Sequence, residues 1–123
     1  MPSVRLLPRT VSRLADTIAL EGEFDLTNIA LVKDAFEEAA AAAPRALVVD
    51  LSAVEYLDST MLAFLVDVHR RLQLGDAQLL LVRPIPMVWR VFEITHLDRI
   101  LRSFETRDAA LAAAPRAATT GIS

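Results

Sequence analysis

The sequence predicts an α/β fold, a single domain with a mixed central β-sheet and about four helices packed against it. Three observations lead there. The first is the run Ala46-Leu47-Val48-Val49-Asp50-Leu51, apolar except for Asp50, as expected of a central strand buried on both faces. The second is a helical stretch that separates this run from a second one. Leu62, Leu65, Val66, His69 and Leu72 fall on one side of a helix over about residues 60–74, Gly75 ends it, and residues 78–82 are again apolar. Two buried strands joined by a helix make a parallel pair with a right-handed crossover. The third is punctuation: Pro44, Gly75, Pro84, Pro86 and Pro115 all stand between periodic segments rather than inside them.

The remaining elements are read in chain order. Residues 4–7 and 11–14 read as short strands around a turn at Pro8-Arg9-Thr10. Residues 17–24 alternate loosely and form another strand. Asp25-Leu26-Thr27-Asn28 supplies helix caps, and Ile29, Val32, Phe36 and Ala39 come next at helical spacing. The alanines at 39–43 favour helix until Pro44 stops it. Residues 52–57 read as a short loop, with Asp58 and Ser59 offering a cap for the next helix. Pro84 and Pro86 open a third helix with Met87, Val91 and Ile94 at helical spacing. Trp89 and Phe92 read more readily as core residues than as contacts; Met87, Val88 and Val91 can also face the sheet, and a Trp89 left at the surface would then suggest a protein contact. A last short strand lies within 97–104. Thr106 or Asp108 then caps an alanine-rich helix that ends near Pro115. Residues 1–115 are expected to be one domain and 116–123 a disordered C-terminal tail.

Composition narrows the function. The hydrophobic fraction is 54%, but much of it is alanine. No stretch approaches the ~20 apolar residues of a spanning helix. The start, Met1-Pro2-Ser3-Val4-Arg5, lacks the apolar core of a signal peptide, so the expected location is cytoplasmic, with no membrane insertion. The absence of cysteine removes disulfides, thiolate metal sites and thiol nucleophiles. A net charge of −3 without a Lys/Arg cluster argues against nucleic acid. His69 and His96 have no matched carboxylate spacing, so no metal is expected. With glycines only at 22, 75 and 121 there is no phosphate loop, and no cofactor is implied. His69, on the apolar side of its helix, reads as partly buried and hydrogen-bonded.

The informative segment is 47–60, where a buried strand feeds a loop ending at a helix N-terminus with two adjacent hydroxyls, Ser59 and Thr60. Free N–H groups and the helix dipole favour an anion there. A phosphate on Ser59 would add about −1.5 to −2 charges at neutral pH without unfolding the domain. Ser59 can equally be an ordinary cap, or Asp58 can cap and leave Ser59 exposed in the first turn. Asp25 reads either as a turn former or as an interface residue. Asp50 lacks the acidic pair and lysine of a phosphoacceptor site, since Lys33 is the only lysine, and reads as a residue that structures its loop.

Four stretches together resemble the STAS domain family, and within it the bacterial anti-sigma factor antagonists. They are Leu20-Glu21-Gly22-Glu23-Phe24-Asp25, Leu47-Val48-Val49-Asp50-Leu51-Ser52, Tyr56-Leu57-Asp58-Ser59-Thr60, and residues 88–98 from Val88 to Asp98. The likeness spans about residues 5–114. It implies a non-catalytic module that, unphosphorylated, sequesters an anti-sigma factor that is often also a serine kinase, freeing a sigma factor for transcription. It implies phosphorylation at Ser59, reversal by a PP2C-type phosphatase, and a partner-binding surface of Asp25, Asp58, Ser59, Thr60 and Met61. One departure is evident. The family motif usually reads Asp-Ser-Ser/Thr-Gly, and Met61 replaces the glycine. A methionine there is expected to cover the surface with a flexible apolar side chain, altering partner choice or adding a hydrophobic contact. Two rivals stand beside this reading. One is a non-switching STAS accessory or scaffold subunit, for example of a lipid-transport complex. The other is a small hydrolase built on Ser59, for which no Gly-x-Ser-x-Gly elbow exists.

Overall fold

The run 46–51 becomes the centre of the sheet. In a computed structural model, which describes residues 2–8 and 15–115, the elements are β1 (Ser3–Leu6), β2 (Ala15–Phe24), α1 (Ile29–Ala41), β3 (Ala46–Leu57), α2 (Ser59–Leu74), β4 (Gln78–Val82), α3 (Pro86–Ile94), a 3-10 turn (Leu97–Arg99), β5 (Arg102–Phe104) and α4 (Arg107–Ala113). The sheet order is β1-β2-β3-β4-β5, with β1 antiparallel to β2 and every other neighbouring pair parallel. The expected strand at 11–14, most of its preceding turn and the expected tail at 116–123 lie outside the described residues.

Strand alternation splits the interior in two. Leu47, Val49, Leu51, Leu79 and Leu81 point to a core shared with α1, α2 and α3. Ala46, Val48, Leu80 and Val82 point the other way, onto Ala110 and Ala114 at α4. Alanines on that helix let it sit close to the sheet. Because both faces are covered, the central strands read as continuous apolar runs rather than alternating ones.

α1 buries Ile29, Val32, Phe36 and Ala39, the face its spacing predicts. It stops at Ala41, before the alanine run ends. Pro44 disfavours helical backbone in the residue before it, and Ala43 adopts φ 49°. Four other expectations need correction. β3 does not end at Leu51 but runs to Leu57, because Val54 and Leu57 are core residues and the backbone keeps pairing with β2. The pairing passes two irregularities, one of them at Gly22, whose φ of 99° suits a bulge that other residues adopt with strain. α2 buries Met61, Leu62, Phe64, Leu65 and Val68, while Val66, His69 and Leu72 lie only half-buried at its flank. Phe36 draws this face inward, meeting the Phe64 ring edge-on with centroids 5.0 Å apart. α3 buries Val88 and Phe92, leaving Met87 78% and Ile94 67% exposed. Trp89 is half-buried, stacked on Phe92 at 4.8 Å beneath the Arg83 guanidinium. Finally, His69 is half-buried as expected, but its buried Nδ1 has no hydrogen-bond partner among the described residues.

Asp50 faces α4. Its carboxylate accepts from the Ser52 N–H and hydroxyl and from Nε and Nη2 of Arg107, the last at 2.6 Å. It therefore orders its own backbone, within β3 rather than in the loop that was expected, and also clips α4 to the sheet. Burial pushes this carboxyl upward, but the Ser52 bonds and the Arg107 charge outweigh it, leaving it below the usual 3.8. A depressed carboxylate stabilises the fold above the unfolded-state value and stops doing so as pH falls through the folded one. Urea denaturation should therefore show stability falling below about pH 4, more steeply in the native protein than in Asp50→Asn. Removing one partner of a buried pair costs about 3–5 kcal/mol, and with the Arg107 side chain 40% exposed the expected loss in Arg107→Met is nearer 1–2 kcal/mol.

Candidate functional site at the start of the second helix

β2 and β3 run side by side and end together, Phe24 opposite Leu57. Their exits are thereby placed at one edge of the domain: the loop 25–28 beyond β2, and Asp58 with the start of α2 beyond β3. The Asp58 N–H donates to the Phe24 carbonyl at 3.1 Å, fixing the second exit against the first.

Asp58 is the cap of α2. One carboxylate oxygen accepts from the Met61 N–H and the other from the Leu26 N–H, both at 3.1 Å. A single side chain thus satisfies a free donor of the helix and holds the neighbouring loop to it. The first intrahelical bond runs from the Leu62 N–H to the Asp58 carbonyl, so the N–H groups of Ser59 and Thr60 have no intrahelical acceptor. Ser59 occupies the first helical position. It is exposed, and its hydroxyl is not used for capping.

The loop is ordered by its own side chains. Asn28 accepts from the Asp25 N–H at 3.0 Å and donates to the Glu23 carbonyl at 2.9 Å, joining the end of β2 to the start of α1. Asp25 accepts from the Thr27 hydroxyl at 2.5 Å and the Thr27 N–H at 2.9 Å, and these bonds hold its carboxyl below the usual range. Asp25 is therefore a turn former by its contacts, and half-exposed beside Asp58 by its position.

The structure brings Asp25, Asp58, Ser59 and Thr60 to one edge. It does not bring the Met61 side chain there. Met61 is fully buried and belongs to the core. Its N–H serves the cap while its side chain points inward, so the replacement of glycine does not cover the surface, contrary to the sequence-based expectation.

Sequence reasoning missed three features. Leu26, whose N–H is held by Asp58, is 71% exposed, and Tyr56, two residues before Asp58, is 49% exposed. No simple pattern signals the second: residues 54–57 are buried, exposed, exposed and buried, whereas strict alternation would put Tyr56 on the inward face with Val54. An open groove of about 810 Å³ also runs between α1 and α2 from Ser59, lined among others by Lys33, Glu37, Phe64 and Arg71. Arg71 pairs across it with Glu37 at 3.2 Å. Among the described residues no group of three or more His, Asp or Glu is arranged to hold a metal. No helix among them is long and apolar enough to cross a membrane.

Two substitutions test this geometry. Asp58→Ala removes the cap and the loop tether together and should cost about 1–2 kcal/mol in urea denaturation, with Asp58→Asn retaining most of the stability. Met61→Ala should cost about 2–4 kcal/mol, because a buried methionine leaves a cavity; a loss below about 0.5 kcal/mol would be the value for a surface residue.

Comparison with known proteins agrees with the family resemblance. Residues 10–110 match the STAS domain family. The fold is similar to that of an anti-sigma factor antagonist from Mycobacterium paratuberculosis, with TM-score 0.83 and 27% identity over 93% of this chain and 94% of that one. It is also similar to a Thermotoga maritima protein solved as a candidate anti-sigma factor antagonist, with TM-score 0.75 and 25% identity over 87% and 92% of the two chains. A third likeness, of fold alone, is to the Bacillus cell fate determinant SpoIIAA in its phosphorylated form, with TM-score 0.67 and 20% identity over 89% and 97%. With its mixed five-stranded sheet, its four helices and a family match over most of its length, the chain belongs to the STAS domain family.

Proposed function

We propose that this chain is an anti-sigma factor antagonist, a binding module without catalysis of its own, switched by phosphorylation of Ser59. The observation that carries the reading is the division of labour at the start of α2: Asp58 caps the helix, so the exposed Ser59 hydroxyl is free. A kinase can reach that oxygen without breaking a structural bond. The antagonist of Mycobacterium paratuberculosis supports the partner class, an anti-sigma factor. The phosphorylated form of SpoIIAA supports a fold that carries phosphate.

In the unphosphorylated state the anti-sigma factor docks over Asp25, Asp58, Ser59 and Thr60, with Leu26 and Tyr56 as apolar anchors. If that partner is also a serine kinase, the Ser59 oxygen attacks the γ-phosphorus of ATP. The bond to the bridging β,γ oxygen breaks, ADP leaves, and the hydroxyl proton passes to a base of the kinase. The phosphoserine brings about −1.5 to −2 charges into the middle of the docking surface. Covering it without a counter-ion removes several kcal/mol of binding, and each 1.4 kcal/mol is a factor of ten. A PP2C-type phosphatase would restore serine by hydrolysing the phosphate ester. The non-switching alternative draws its support from Met61, and with that side chain in the core the substitution leaves the docking surface unchanged.

Incubation with an anti-sigma kinase and ATP should label Ser59, as mapped by mass spectrometry, and leave Ser59→Ala unlabelled; label persisting in that variant rejects the site. Ser59→Asp should weaken binding to the anti-sigma factor on the order of 100-fold in titration calorimetry, and equal affinity would reject the electrostatic mechanism.

A further inference from the structure

We infer that Lys33 is the counter-ion of a phosphate carried on Ser59, so that modification ties α1 to α2 across their groove. The inference rests on the reading of Ser59 as the modified residue. Its observations are independent of that reading.

The first is register. α1 and α2 each succeed one of two parallel strands and pack on the same face of the sheet. They therefore run in the same direction, and Phe36 meets Phe64 with ring centroids 5.0 Å apart. Three residues back from each ring, Lys33 stands level with Met61, about 3 Å of helix rise beyond Ser59. Helical side chains lean toward the N-terminal end of their helix, which here is the Ser59 end. Lys33 and Ser59 are both exposed, and both line the groove.

The second is charge. Two cations line the groove. Arg71 is committed to Glu37 at 3.2 Å and to Asp67 at 3.7 Å, about 18 Å of helix rise from Ser59. Lys33 forms no ion pair among the described residues. The other charges lining the groove, Glu37 and Asp67, are acidic, and so are Asp58, which caps α2 next to Ser59, and Asp25 in the loop that Asp58 holds. A dianion placed beside Asp58 is repelled by that carboxylate, and the free N–H groups at the start of α2 offset only part of its charge, so a cation within reach stabilises it. Lys33 is the one cation of the groove free to do so, and its flexible stem carries a compact charge suited to a phosphate. A single lysine offsets only part of the dianion, so a docking partner still meets residual negative charge, and the pair closes the Ser59 end of the groove as a steric block besides.

The test uses protein with phosphoserine installed at position 59 during translation, so that no kinase is needed. The pH titration of its ³¹P signal reads the second ionisation of the phosphate, ordinarily near 6. A neighbouring cation favours the dianion. The midpoint should lie about half a pH unit lower in the native background than in Lys33→Gln, Lys33→Arg should keep the low value, and Arg71→Gln should leave it in place. An unchanged midpoint in Lys33→Gln would overturn the inference, as would an equal displacement in Arg71→Gln, which would mark a diffuse field rather than a pair. Position 33 is exposed, so these variants are expected to fold. Failure of a kinase to label Ser59 would count against the switch alone, and the ³¹P comparison would still decide the role of Lys33.

Discussion

The site depends on the carboxylate of Asp58. Its two oxygens accept from the N–H groups of Met61 and Leu26, which decides how every neighbouring group is used. Had Ser59 been the cap, its hydroxyl would be an acceptor for the helix, and any group added to it would break a structural bond. With Asp58 in that role, Ser59 stands one position inside the helix and its oxygen carries no structural duty. The same carboxylate holds Leu26, and with it the loop that contains Asp25. Chemistry at 59 and the shape of the surrounding surface are thus set by one residue but remain separable.

The sheet extends this separation to the whole domain. One face carries α1, α2 and α3 over the larger core, and the other carries α4 over a smaller core built largely of alanine and valine. Asp50 and Arg107 fasten the second face. The candidate docking edge belongs to the first. A partner seated over Asp25, Asp58 and Ser59 meets the ends of β2 and β3 and the starts of their helices, and α4 is not in contact with it. Rigidity at that edge comes from short-range bonds: Asn28 to Asp25 and Glu23, Thr27 to Asp25, and the Asp58 N–H to Phe24.

Much of this was legible in the sequence, for local reasons. The face of α1 comes from its spacing, the start of α3 from Pro86, and β4 from an uninterrupted apolar run. The site loop was legible because caps and turns are chemistry between near neighbours. The features that were not legible depend on distant partners. β3 continues past Leu51 because β2 is there to pair with it, through bulges that 52–57 alone do not announce. The buried faces of α2 and α3 are rotated from the expected ones because each helix has apolar residues on more than one side. The choice between them is made by neighbours such as Phe36. Arg107 was invisible as a partner of Asp50 because the two meet only once α4 has returned to the sheet.

Position 61 shows how a departure from a family motif changes meaning once the backbone is in place. Read along the sequence, methionine in place of glycine looks like a bulky addition to a binding surface. In the fold, residue 61 serves two sides of the helix at once. Its N–H belongs to the cap, a role that any residue except proline fills equally well. Its side chain belongs to the core, where a methionine adapts its shape to an irregular space. The surface at the start of α2 is therefore written by Ser59 and Thr60 and by the loop that Asp58 holds, none of which the substitution touches. Glycine at this position is replaceable because the direction in which its missing side chain would point leads into the protein.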